Sequence, residues 1–153
     1  ASVSLVKDED LILMTHEGMA IKFNSMDISA SGRATSGVKG ITLKDNDYVV
    51  AALPVRHPED QLAIISESGL GKKIPLTGLV IQKRAGKGQI VYKPTEASGK
   101  VACGALVSDE DSVLICGKSS EICILAKDIP SLSRGSLGNQ LIKGTTVTSM
   151  SKV

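Results

Sequence analysis

The chain is 153 residues long, 42% hydrophobic and 22% charged, with a net charge of +2; that balance suits one soluble core and excludes a disordered or fibrous chain. Aromatic residues make up only 2% and Trp is absent, which excludes binding of single strands by stacking bases on aromatic side chains. No apolar run approaches the ~20 residues of a membrane span, the opening ASVSLVKDED lacks signal-peptide order, and Cys103, Cys116 and Cys123 lie in or beside apolar runs, so a cytoplasmic, non-membrane protein with reduced thiols is expected.

Residues 1–48 set a pattern. An apolar run at 3–6 leads into an acidic turn, Asp8-Glu9-Asp10, read as a solvated turn. LILMTHEGMAIKF at 11–23 then places Gly18 between two apolar runs, which predicts a hairpin. A loop with one apolar anchor, Ile28, follows, then Arg33-x-x-x-Gly37 and another apolar run at 38–43.

At an offset of 51 the pattern returns. Residues 49–55 are apolar, Glu59-Asp60 is the acidic turn, LAIISESGLGKKI at 62–74 is the hairpin with Gly69, and Leu79 is the anchor. Arg84-x-x-x-Gly88 and a run at 89–93 complete it. The third copy has a run at 101–107, Asp109-Glu110-Asp111, VLICGKSSEICIL at 113–125 with Ser120 in the glycine's place, and the anchor Ile129. Arg134-x-x-x-Gly138, displaced by one deletion, and a run at 140–143 follow. No segment has helical periodicity of useful length, and four short strands per repeat of about 51 residues predict an all-β, propeller-like array of three four-stranded blades at 1–48, 49–99 and 100–153. Three blades are too few to close a ring of usual size, so a longer domain, capped ends or a second copy is implied.

The charge is not spread evenly. Residues 72–100 carry seven basic side chains against Glu96, whereas residues 1–71 carry six basic and ten acidic. At the centre of the positive stretch is QKRAGKG, residues 82–88. It combines three cations with small residues that let a phosphate approach the backbone, although a short basic run of this kind is also what a solvated turn looks like.

Here the chain resembles the C-terminal domain of the A subunit of bacterial type IIA DNA topoisomerases, DNA gyrase first and topoisomerase IV second. That family's hallmark is QRRGGKG, of which Gln82, Arg84, Gly86, Lys87 and Gly88 are kept, while Lys83 stands for Arg and Ala85 for Gly. SGLGKKI at 68–74 is similar to the family's NGYGKRT, and GRATSGVKGITL at 32–43 to its repeated GRxTxGVRGI. The resemblance covers nearly the whole chain and matches the last three blades of a domain that normally has six. It implies a β-pinwheel, in which neighbouring blades exchange a strand and duplex DNA bends around a basic rim.

On that resemblance the DNA-binding residues are Gln82, Lys83, Arg84, Gly86, Lys87 and Gly88, with Lys22, Arg33, Lys39, Lys72, Lys73, Arg134 and Lys143. Their contacts would be mainly to phosphates, so that they position DNA without reading its bases. The implied partners are double-stranded DNA, the other domains of the A subunit, plus its ATPase subunit, in a chromosome-associated enzyme. Alternatives are a topoisomerase IV domain that bends DNA less, or a divergent repeat module that binds protein.

Chemistry in this chain is not expected, nor is a cofactor or a metal. Neither Tyr48 nor Tyr92 lies in the context of the family's DNA-cleaving tyrosine. Gly117-Lys118-Ser119 resembles the end of a phosphate-binding loop, but the earlier glycine would fall on Ser112. His16 and His57 are too few and too far apart to argue a triad or a metal site.

Overall fold

The computed structural model describes residues 8–153, and the apolar run expected as a strand at 3–6 lies outside them. Strand β1 (Asp10–Thr15) runs antiparallel to β2 (Met19–Asn24), and its other edge takes β3 (Val49–Val55) from the next repeat. The same arrangement recurs in β4 (Gln61–Ser66), β5 (Leu70–Pro75) and β7 (Val101–Val107), and again in β8 (Ser112–Gly117), β9 (Glu121–Leu125) and β11 (Val147–Lys152). Two short strands complete the first two sheets: β6 (Gln89–Ile90) pairs with β2, and β10 (Asn139–Gln140) pairs with β5. Each four-stranded sheet therefore draws strands from two consecutive repeats, the exchange expected of a pinwheel.

The hairpin strands are apolar on both faces because the sheets stack face to face. Ile12 and Met14 of the first sheet meet Leu62, Ile64 and Ile74 of the second in one buried core. Ala63 and Ile65, on the opposite face of the second sheet, meet Val113 and Ile115 of the third. Burying an Ile or Leu of this kind contributes roughly 1.5–3 kcal/mol. The anchors Leu79 and Ile129 enter these two cores, while Ile28 packs on the outer face of the first sheet beside Leu11, Ile21, Phe23 and Ile41. After each hairpin the chain makes the same 3-10 turn, Ser25–Asp27, Leu76–Gly78 and Ala126–Asp128, closed by the anchor's N–H on the turn's first carbonyl.

Four expectations are corrected. Residues 38–43 form no strand, because the equivalent segments pair with the preceding repeat's hairpin and no described residue offers these that edge. The third sheet has three strands, since no described segment pairs with the outer edge of β9. The deletion in the third repeat falls at the hairpin itself: Gly117 donates to Ser120 across a turn of two residues, where Gly18 and Gly69 close longer turns on Thr15 and Ser66. Nor are the acidic turns wholly solvated. Glu9 and Asp60 are buried, with Arg56 3.6 Å from Glu9.

Glycine is needed at 18 and 69 for a reason that lies in the next repeat. Both have positive φ, 88° and 95°, and a Cβ at either would run into the carbonyl of Tyr92 or Ile142, which crosses the turn. The third turn, one residue shorter, is met differently: Lys118 N–H donates to the Thr146 carbonyl and Ser119 N–H to the Thr145 hydroxyl, both at 3.0 Å, and neither Ser119 nor Ser120 needs a positive φ.

Candidate nucleic-acid interface

Residues 82–88 lie across two repeats. Gln82 N–H donates to the Lys22 carbonyl at 2.8 Å, which docks the loop on β2. Ala85 N–H donates to the Gly40 carbonyl at 2.6 Å, Thr42 N–H donates to the Gly86 carbonyl at 2.9 Å, and the Thr42 hydroxyl donates to the Ala85 carbonyl. Residues 39–44 and 83–87 consequently run side by side, and Lys39, Lys44, Lys83 and Lys87 are all exposed. Lys44 and Lys87 share the wall of a hollow of about 140 Å³ with Thr42 and Asp47. Gly86 leaves room for the Gln82 amide oxygen and Ile21, and Gly88 abuts the backbone of Ala20.

Two residues of this loop take roles that only the fold reveals. Ala85 adopts φ 70°, a left-handed backbone that a Cβ disfavours; its N–H and C=O are both held by the 40–42 segment, which fixes the strained conformation. Arg84 turns back into the protein, Nε donating to the Asp27 carbonyl at 3.0 Å and Nη1 to the Lys39 carbonyl at 3.2 Å. It braces the loop with two donors and is only partly exposed.

Lys72 and Lys73 do not face outward, which corrects their assignment to the rim. The Lys72 side chain is fully buried and its ammonium donates to the carbonyls of Ser133, Arg134 and Ser136 at 2.9, 2.8 and 2.6 Å. Burial lowers its pKa to about 8. Lys73 is buried too, with Nζ 2.7 Å from Asp109 and 2.8 Å from the Ala126 carbonyl. Lys22, at the matching position of β2, is half-buried and reaches the Leu76 carbonyl at 3.5 Å. Lys22 and Lys73 thus each tie a hairpin to the first carbonyl of the next repeat's 3-10 turn, and Cys123 occupies the third such position. Arg33, Arg134 and Lys143 are exposed, on other loops than the one at 82–88.

A model of the DNA gyrase C-terminal domain, a beta-propeller, matches residues 9–56 and 60–102. The chain belongs to the gyrase C-terminal domain family. It is 34% identical over 142 residues to the DNA gyrase A subunit of Lawsonia intracellularis (strain PHE/MN1-00), covering 91% of this chain and 17% of that protein. With the same subunit of Dehalogenimonas lykanthroporepellens (strain ATCC BAA-1523 / JCM 15061 / BL-DC-9) it shares 40% over 108 residues, 71% of this chain and 13% of the relative. Among solved structures, a DNA gyrase A C-terminal domain superposes with a TM-score of 0.91 at 31% identity, covering 97% of this chain and 52% of that one. A topoisomerase IV C-terminal domain gives 0.90 at 27%, covering 96% and 47%. The chain spans about half of those domains and under a fifth of the curated relatives.

Within this gyrase-type domain the exposed cations divide into one cluster built from two repeats and a scatter on the remaining loops. Lys44 belongs to the cluster and was not among the residues selected from sequence. Its proximity to Lys87 depends on hydrogen bonds between segments 43 residues apart in the chain, and nothing local at Lys44 signals it.

Proposed function

We propose that the chain holds and bends duplex DNA, as part of the wrapping domain of a gyrase A subunit that presents a DNA segment for strand passage. The observation that carries this is the main-chain pairing of residues 40–42 with 85–86, which gathers Lys39, Lys44, Lys83 and Lys87 on one exposed surface. Flexible lysines on a hydrogen-bonded support match phosphates along a duplex while leaving its bases unread. The chain would supply the wrap, and the chemistry would belong to other parts of the enzyme.

Duplex binding measured over a series of salt concentrations tests it. Lys83→Ala and Lys87→Ala should each flatten the slope of log affinity against log salt by about 0.9, a loss near eightfold at 0.1 M salt. Unchanged slopes in both variants would sink the reading. The topoisomerase IV structure, similar at TM-score 0.90, supports a second reading with the same surface and less bending; end-to-end fluorescence transfer on labelled duplexes separates the two.

A further inference from the structure

The acidic turns that lead into β1, β4 and β8 place Glu9, Asp60 and Asp111 at the same register. Two of the three have a cation from this chain. Arg56 Nε lies 3.6 Å from Glu9, and Lys152 Nζ lies 3.7 Å from Asp111, which also accepts the Ser108 N–H at 2.8 Å. Asp60 has no such partner. It is 8% exposed, yet its carboxylate makes no hydrogen bond or ion pair with any described residue. The position that Arg56 fills in the first repeat is Ser108 in the second, because Val55 and Val107 hold the same register on β1 and β4. A buried carboxylate without a partner is costly.

The Asp60 oxygens are not enclosed by protein. Asp60 lines a hollow of about 640 Å³ between the second and third repeats, whose wall also carries Asp109, Glu110 and Asp111. Lys73 is engaged with Asp109 and Lys152 with Asp111, so Asp60 and the exposed Glu110 are left without a cation. Such a hollow repels phosphates and attracts positive groups. Among the described residues no three His, Cys, Asp or Glu side chains are placed to hold a metal ion, which points to an organic cation.

We propose that this hollow takes an arginine side chain of another protein chain, with its guanidinium on Asp60, where the first repeat sets Arg56 on Glu9, and with Glu110 at the mouth. A guanidinium is planar, permanently charged and more weakly hydrated than an ammonium, so it enters a half-closed acidic recess at lower cost, and its pairing with a carboxylate is among the stronger hydrogen-bonded contacts. The site does not depend on duplex binding. Lys44 and Lys87 share their hollow with Thr15 and Met19 at the turn end of the first hairpin, whereas the acidic turns lie at the other end of the strands, about 17 Å away along six residues. Both ends can be occupied at once.

Amide-resolved NMR of the full chain at pH 7 and constant ionic strength tests this, with N-acetyl-arginine amide, an arginine flanked by two peptide groups, as the probe. At about 10 mM, the range expected for a single charge-assisted pair, it should shift the amides of Asp60, Gln61, Ser108, Asp109, Glu110 and Asp111 in the wild type. Asp60→Asn, which keeps the side chain's shape, should remove the shifts. Ser108→Arg should remove them too, by giving the second repeat the cation of the first. N-acetyl-lysine amide should act more weakly, as should free arginine, whose carboxylate would meet Glu110. Absence of shifts in the wild type, a result that needs no variant, overturns the proposal, as do equal shifts in folded Asp60→Asn. An equal response to the lysine amide would overturn the guanidinium assignment, a stronger response to free arginine would overturn the protein source, and equal shifts with calcium chloride would make the hollow a metal site instead.

Discussion

Ala85 holds φ at 70°, a conformation that costs an L-residue with a Cβ roughly 1–2 kcal/mol, against about 0.5–1 kcal/mol of extra chain entropy for Gly. Ala85→Gly should therefore raise the urea-unfolding free energy by up to about 1 kcal/mol, with the slope against denaturant unchanged. Lys72 gives a pH signature. Its pKa falls from 10.5 to about 8 on folding, so between these values the unfolded chain keeps a proton that the folded chain has lost, and stability rises with pH by up to about 1.4 kcal/mol per unit. Cys103, raised above 9 by burial, removes stability as pH climbs past 9, so the window to measure is pH 8 to 9. Lys72→Met should abolish the rise there. The sequence shows Lys72 and Lys73 as a basic pair in GLGKKI, indistinguishable from rim residues. What buries them are carbonyls more than 50 residues away, and every residue has a carbonyl, so no side-chain pattern announces the partner.

At the scale of elements, the hairpins and the anchors were legible because each is local: two apolar runs around a turn, then one apolar residue closing a 3-10 turn. Strand status at 38–43, 89–93 and 140–143 was not. The three runs read alike, yet only the latter two supply strands, each of two residues, because a strand exists only where another offers an edge. The site divides in the same way: QKRAGKG was visible as a loop, whereas its docking on Gly40 and Thr42, and with it Lys44, was not. For β9 the outer edge is unpaired among the described residues and Ile122 is 37% exposed, while β4 is paired on both sides and buried. Hydrogen exchange should therefore find the outward amides of β9 far faster than those of β4, which should exchange only on global opening. Equal protection would show that another segment or a second copy covers that edge.

For the molecule as a whole, three stacked sheets share two buried cores, and most of the exposed cations lie on loops outside them. On the proposed role, such a surface would recognise a duplex by charge and by its readiness to bend. Scrambling the sequence of a duplex long enough to bend should change affinity by less than tenfold, whereas shortening it to about 10 base pairs should weaken binding strongly; a motif preferred a thousandfold over scrambled DNA would contradict this. The exchange of β6 and β10 into the preceding sheets also orders events on the ribosome. The first sheet remains without its fourth strand until Gln89 and Ile90 have been synthesised, and the second until Asn139 and Gln140 have. The first two repeats are thus each finished by their successor, and a pause in translation within that successor would strand the one before it with an open edge.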